Sequence, residues 1–199
     1  MENNVIHFCM FSSPIGDLKL FAHEHALIYI QFPEALPFRL ELYLNRFYRD
    51  FSVRFYRDFS VVPSDSPILK QTRIELLDYF DHPGKPFYFS VPTELKGTPY
   101  QRQVWQQIAT IPYGKVITYG TLASWCGGGK SSSRSAGAGC GANPISIVVP
   151  CHRILGTNRK LVGFGGGLAV KEWLLCHEGN DIQSHRYLGE FYTRPSTAN

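Results

Sequence analysis

No apolar run in this chain is long enough to cross a bilayer, and the opening Met1-Glu2-Asn3-Asn4 lacks the basic and apolar regions of a secretory signal. Those absences argue against a membrane or exported protein, so a soluble intracellular one is expected, cytoplasmic or, in a eukaryote, nuclear. There is no C-x-x-C pair, and the five cysteines (Cys9, Cys126, Cys140, Cys151, Cys176) are an odd number. Reduced thiols in a reducing compartment fit that usage better than a disulfide framework. Charged residues are sparse, 18% against 44% hydrophobic, which leaves ample apolar material for a core. The most local absence is of acid. From Leu95 to Lys171 there is no Asp or Glu, while nine Lys and Arg fall in that stretch.

What is present divides unevenly. Counting Lys and Arg against Asp and Glu, residues 1–96 hold ten against twelve, residues 97–185 eight against three, and residues 186–199 two against one. A basic half joined to a slightly acidic half suggests that only the second meets phosphate, although an ordinary solvated basic face leaves the same count. At 199 residues the chain has room for one large domain or two small ones.

Punctuation and periodicity divide it into two. Val5–Phe11, Asp17–Ala22 and Ala26–Phe32 read as strands, with Ser13-Pro14-Ile15-Gly16 as the first turn. Ser66-Pro67 opens a helix to about Phe80, with Ile68, Leu69, Thr72, Leu76, Leu77 and Phe80 along one side, and Phe87–Val91 reads as a further strand. This makes an α+β unit over residues 1–92, followed by a linker at Pro92–Gly97. Within it Arg46–Val53 is repeated without change at Arg54–Val61, a period too short for a solenoid and read as a duplication that lengthens a surface segment.

The second unit, residues 97–185, opens on the capping box Thr98-Pro99-Tyr100-Gln101, with Val104, Trp105 and Ile108 as the apolar stripe of its helix. A second helix should run from Thr118 to Trp125. A third should run from Ser132 or Ser133 to about Gly141 and is built almost wholly of Ala, Gly, Ser and Cys. The pair matches helix-turn-helix organisation. Its small residues suit either close approach to a DNA groove or tight internal packing. Gly127-Gly128-Gly129-Lys130-Ser131 is not a phosphate-binding loop, because its leading glycine is missing and no strand precedes it. The tail, residues 186–199, is rich in Ser, Thr, Arg and Tyr and is expected to be flexible.

The chemistry gathers at Pro150-Cys151-His152-Arg153, which follows the apolar Ile147–Val149, read as a strand. A cysteine next to an imidazole, in a stretch stripped of negative charge, suggests a nucleophilic thiolate facing an anionic partner. A buried thiol beside a loop histidine is the bland alternative. Cys9, His7, His23 and His25 form no recognised metal-ligand set, and no metal is expected.

Asn143-Pro144, Ile147–Val149, Pro150-Cys151-His152-Arg153, Gly163-Phe164-Gly165-Gly166-Gly167-Leu168 and Lys171-Glu172-Trp173-Leu174-Leu175 stand in one order. With Val104-Trp105, Tyr113-Gly114 and Thr118-Tyr119 before them, the chain resembles O6-alkylguanine-DNA alkyltransferases, also called methylated-DNA–protein-cysteine methyltransferases. The resemblance is dense over Thr98–Gly179 and weaker toward the N-terminus. It implies a ribonuclease-H-like N-terminal α/β domain followed by a winged-helix-like C-terminal domain. It also implies single-turnover repair of double-stranded DNA, without cofactor, by a monomer: an alkyl group on guanine O6, and possibly thymine O4, passes irreversibly to Cys151 from a flipped base.

By that resemblance Cys151 gives its proton through a water to His152, which Glu178 orients, and Asn143 locks the turn before the reactive segment. Tyr119 would donate to guanine N3, and Arg134 would fill the stack left by the flipped base, with Tyr119, Ser133 and Ala136 also contacting DNA. Ser146, Ile154, Phe164 and Gly165 would line the substrate pocket. Phe164 stands where many members carry a tyrosine, and Ser146 where some have a second proline, which puts tolerance of benzyl-sized groups in question. Two other functions stay open. A non-repairing reader of alkylated bases would carry another residue at Cys151, and a Cys-His hydrolase would need a remote, contacting histidine and an oxyanion site.

Overall fold

The structure, a computed structural model, describes residues 5–33, 35–49, 66–129 and 132–195. The chain is a mixed α/β protein in two units: Met1–Thr98 together with Pro144–Val148, and Pro99–Asn143 together with Val149–Asn199.

In the first unit β1 (His7–Ser13), β2 (Gly16–His23) and β3 (Ala26–Gln31) form an antiparallel sheet in that order. The register Phe8↔Phe21 and Phe11↔Leu18 sorts the side chains onto two faces. On one face Phe21 and Ile28 join Leu40, Tyr43 and Leu44 of α1 (Pro37–Phe47) in a core with Ile6 and Tyr48. On the other, α2 (Pro67–Asp81) packs with Leu69, Leu76 and Phe80 buried, Phe80 stacking on Phe11 at 6.0 Å between centroids. Burial on both faces explains why Ala26-Leu27-Ile28-Tyr29-Ile30 is nearly continuous apolar sequence instead of alternating.

The strand-and-turn reading does not include α1, and Leu77, expected to be buried, is 45% exposed. No strand forms at Phe87–Val91, because the Ser90 N–H donates to Glu75 Oε2 at 2.9 Å. The chain meets β3 only afterwards, with Leu27 N–H to Pro92 O at 2.9 Å and Glu94 N–H to Leu27 O at 3.0 Å. The repeated octet lies outside the described residues from Asp50 onward.

Pro144–Val148 is held in the first unit by Ile30 N–H donating to Pro144 O at 2.8 Å. Ile147–Val149 is not the expected strand: the backbone turns at Ile147-Val148, and Ile147 has φ +81°. A β-branched residue rarely adopts that conformation. Its apolar character comes from burial, since Ile145 is 0% and Ile147 1% exposed.

The second unit opens with α3 (Pro99–Ala109), whose Val104, Trp105 and Ile108 are buried as the stripe requires. α4 (Tyr119–Trp125) is capped by the Thr118 side chain, which accepts from Thr121 N–H. α5 (Ser133–Gly141) lies against α3 at backbone distance: Trp105 Nε1 donates to Gly139 O at 2.9 Å, and a Cβ on Gly139 would stand 3.0 Å from Val104. β4 (Ile117–Thr118) pairs in parallel with β5 (Ile154–Leu155). α6 (Gly167–His177) and the hairpin β6 (Ile182–Gln183)–β7 (Arg186–Tyr187) complete the unit.

The tail expected to be flexible is docked as far as it is described. Tyr187 joins a core with Val116, Leu155, Leu161 and Leu175, Tyr192 N–H donates to Val116 O at 2.8 Å, and the Arg194 guanidinium lies 3.6 Å from the Trp125 ring centroid. Among the described residues no helix is long and apolar enough to cross a membrane.

Candidate active site

Pro150 sets the site. Its φ −81° and ψ 63° are those of an inverse γ-turn, closed by Cys151 N–H to Val149 O at 2.8 Å. Cys151–Arg153 then makes a single 3-10 turn leading into β5. Asn143, just after α5, donates through Nδ2 to Val149 O at 2.8 Å and to Cys151 Sγ at 3.2 Å. One amide thus holds both the turn and the sulfur.

Glu178 comes to the turn because α6 ends there. Gly179 has φ +83° and donates to Cys176 O at 2.9 Å, while Asn180 N–H donates to Leu175 O at 3.0 Å, the paired bonds of a Schellman cap. The cap leaves the carboxylate of Glu178 buried at 4% exposure against His152 at 0% and Arg153 at 6%. His152 Nε2 lies 2.8 Å from Glu178 Oε1, and Arg153 grips both oxygens, Nη2 to Oε1 and Nε to Oε2, each at 2.8 Å. Arg153 Nη1 also donates to Ile111 O at 2.7 Å.

Electrostatics decides the protonation. Burial alone would raise Glu178, but the charges and hydrogen bonds of His152 and Arg153 outweigh it and hold the carboxyl far below the usual carboxylate range. Glu178 is therefore ionised and can only accept, so His152 Nε2 carries the hydrogen. Burial lowers His152 below the ordinary imidazole value, Glu178 opposing and Arg153 assisting, so the ring is neutral at neutral pH. Its lone pair then sits on Nδ1, a buried atom with no hydrogen-bond partner among the described residues. The residue that follows Cys151 thus carries a neutral imidazole with an unshared lone pair on a buried nitrogen.

Other expected residues lie around this centre. Tyr119 opens α4, and burial, then the nearby Cys140 and Cys151, raise its phenol well above the ordinary value, so it stays protonated. Its OH reaches Val162 O at 3.5 Å. Phe164 stands edge-on to His152 at 6.4 Å between centroids, and Ile154 is fully buried. A Cβ on Gly165 would meet nothing within 4 Å. Arg134 is exposed on α5 and Ser133 half-buried. Ala136 is 0% exposed, so its methyl serves helix packing and offers no surface to DNA. Ser146 is buried within the first unit.

Two residues escape sequence reasoning. Arg153 stands in the tetrapeptide, but its neighbours there give no sign that it clamps Glu178. Lys171 is fully buried and donates to Ile154 O at 2.6 Å, Val162 O at 2.8 Å and Gly163 O at 3.5 Å. Burial brings its ammonium down to about 8. Its position three and four residues before the buried Leu174 and Leu175 was a readable signal that it faces inward. Among the described residues no cluster of three or more His, Cys, Asp or Glu could hold a metal.

Residues 99–180 match the family described as 6-O-methylguanine DNA methyltransferase, DNA binding domain. The chain is 52% identical over 90 residues to a methylated-DNA–protein-cysteine methyltransferase of Shigella flexneri, a match covering 45% of this chain. It spans about half of that relative's length, 52%. A methylated-DNA–protein-cysteine methyltransferase of Methanosarcina acetivorans is 34% identical over 175 residues, covering 88% of this chain and 99% of the relative. The crystal structure of a Mycobacterium tuberculosis O6-methylguanine methyltransferase in complex with DNA is 32% identical, with a TM-score of 0.68 over 86% of this chain and 92% of that one. A relative aligned over nearly its whole length, with Cys151, His152 and Glu178 gathered in one buried site, settles descent: the chain belongs to the methylated-DNA–protein-cysteine methyltransferase family.

Proposed function

We propose that this protein repairs DNA by direct reversal, taking an alkyl group from guanine O6 onto Cys151 in one stoichiometric step. The observation that carries the reading is a buried Cys151 followed in sequence by His152, whose Nδ1 has no hydrogen-bond partner among the described residues and whose Nε2 is paired with Glu178. A thiolate is needed, because a neutral thiol is a poor nucleophile toward carbon and a free cysteine, with a pKa of about 8.5, is little ionised at neutral pH. His152 Nδ1 takes the proton through a water. The imidazolium is then stabilised by Glu178, whose charge is already fixed by Arg153. The Asn143 amide donates to the sulfur and holds it in place.

Sulfur attacks the alkyl carbon, the carbon–O6 bond breaks, and its electron pair leaves with the base. Tyr119, kept protonated, donates to guanine N3 as charge develops. The product is a thioether, which nothing in the site can cleave, so each chain acts once. Arg134, exposed on α5, is placed in the duplex stack, and Phe164 forms an apolar wall of the pocket. We also assign to this reading a ribonuclease-H-like first domain, a winged-helix-like second domain, and a monomer acting on duplex DNA in the cytoplasm or nucleus.

Incubation with a duplex containing O6-methylguanine should add one methyl group to the intact mass and no more. Peptide mapping should place it on Cys151. Cys151→Ala should abolish transfer and leave duplex affinity within about twofold, since a thiol adds little to phosphate contacts. A methyl on Cys9, Cys126, Cys140 or Cys176, an unchanged mass with tight lesion binding, or repeated turnover would each overturn the reading.

A further inference from the structure

The turn between α3 and β4 is built around the Glu178–Arg153 pair. Ile111 O accepts Arg153 Nη1 at 2.7 Å, and the guanidinium carbon lies 5.6 Å from the Tyr113 ring centroid. Tyr113 OH donates to His177 O at 3.3 Å, one residue before Glu178, and Gly114 N–H donates to Glu178 Oε2 at 3.3 Å. The turn itself is closed by Lys115 N–H to Pro112 O at 3.1 Å, with Gly114 at φ +67°. A Cβ on Gly114 would stand 2.8 Å from Glu178 O, so both conformation and space demand glycine.

We propose that Ile111–Gly114 is a positioning element of the transfer site: Tyr113 and Gly114 hold the Glu178 carboxylate and the Arg153 guanidinium in register with His152, and so govern how readily His152 takes the Cys151 proton. The inference rests on the transfer reading above. Its physical core is that a carboxylate with two oxygens cannot serve His152 and Arg153 together unless its plane is fixed. Arg153 holds both of its oxygens. The Gly114 N–H adds a second donor to Oε2, and Tyr113 holds the helix end that carries the carboxylate. Lys171 and Arg153 both lower the proton affinity of His152, so the ring relies on a well-aimed Glu178 to become protonated at all.

The test compares wild type, Tyr113→Phe and Tyr113→Leu, using the 199-residue chain and O6-methylguanine duplex, across neutral to alkaline pH. Tyr113→Leu should slow transfer about tenfold at neutral pH, a fraction of the roughly 100- to 10,000-fold that a whole proton-transfer step contributes, and recover as pH rises. Duplex affinity should not change. Tyr113→Phe keeps the ring over Arg153 and loses only the hydroxyl, so it should show a smaller loss with the same recovery. In a Glu178→Gln background Tyr113→Leu should add nothing further, because the charge it positions is gone. Slowing by the same factor at every pH, or a full additional loss in the Glu178→Gln background, would overturn the proposal and make the turn merely structural. If Tyr113→Leu does not fold, the pH profile of Tyr113→Phe decides in the same way. A wild-type protein that transfers nothing would instead defeat the transfer reading itself.

Discussion

His152 shows how a residue's neighbours decide its role. Alone it would be a histidine next to a cysteine. With Nε2 committed to an ionised Glu178 it becomes a base with one available nitrogen. Glu178→Gln tests this most directly. The glutamine oxygen can still accept from Nε2, but the charge that supports a protonated ring is lost. Transfer at neutral pH should fall about 10- to 100-fold and recover in part as pH approaches the ordinary cysteine value of about 8.5. The substitution also leaves the buried Arg153 without a counter-charge, which costs about 3–5 kcal/mol, so folding must be checked by melting before the rate is read. Stability carries its own sign. His152 is lowered in the folded state, so the unfolded chain binds the extra proton, and the contribution of the neutral ring is present above the unfolded value of 6.5 and lost as pH falls from there through the lower folded value. A folded Glu178→Gln protein with the wild-type rate at every pH would reduce Glu178 to a helix-end carboxylate.

Among the elements, α5 answers a question that composition leaves open. Its small residues suited both a packed helix and one that approaches DNA, and the helix has one packed face and one exposed face: Ala136, Gly139 and Cys140 are buried, while Arg134, Ser135 and Ala138 are exposed. Gly139→Val should overpack the contact with Val104 and cost about 1–3 kcal/mol in denaturation, and Val104→Ala in the same chain should return part of it. Independent, additive losses would mean that the two residues do not share the contact. Elements with local signals were legible: α2 through Ser66-Pro67, α3 through its Thr98-Pro99-Tyr100-Gln101 sequence, and α4 through Thr118. Those decided by distant partners were not. Phe87–Val91 has strand composition, but Ser90 gives its N–H to a helix side chain, and Ile147 is apolar because it is buried in a turn. In the site, Cys151, His152 and Glu178 were legible through family order. The clamp by Arg153 was not, since no local pattern tells a guanidinium which carboxylate it will meet 25 residues away.

At the scale of the whole molecule, the reactive segment is divided between the two units along the chain. Pro144–Val148 belongs to the first unit, yet Asn143 before it and Val149-Pro150-Cys151 after it belong to the second. The two partners of the Asn143 amide, Val149 O and Cys151 Sγ, are therefore separated from Asn143 by a segment whose apolar side chains, Ile145 and Ile147, are 0% and 1% exposed. A chain that begins at Pro99 keeps the whole family match, residues 99–180, and every residue of the site, but leaves Pro144 without Ile30. Burying an isoleucine contributes about 1.5–3 kcal/mol, and Ile147 must also hold a conformation that β-branched residues resist. Without the first unit that turn should open and Asn143 should lose its hold on Cys151. The truncated protein should melt lower than the full chain and transfer more slowly at neutral pH. Asn143→Ala should slow the full chain much more than it slows the truncated one, because the bond it removes is already impaired there. Equal melting and equal rates would show that Pro144–Val148 keeps its turn unaided, and the first unit would then act on something other than the reactive cysteine.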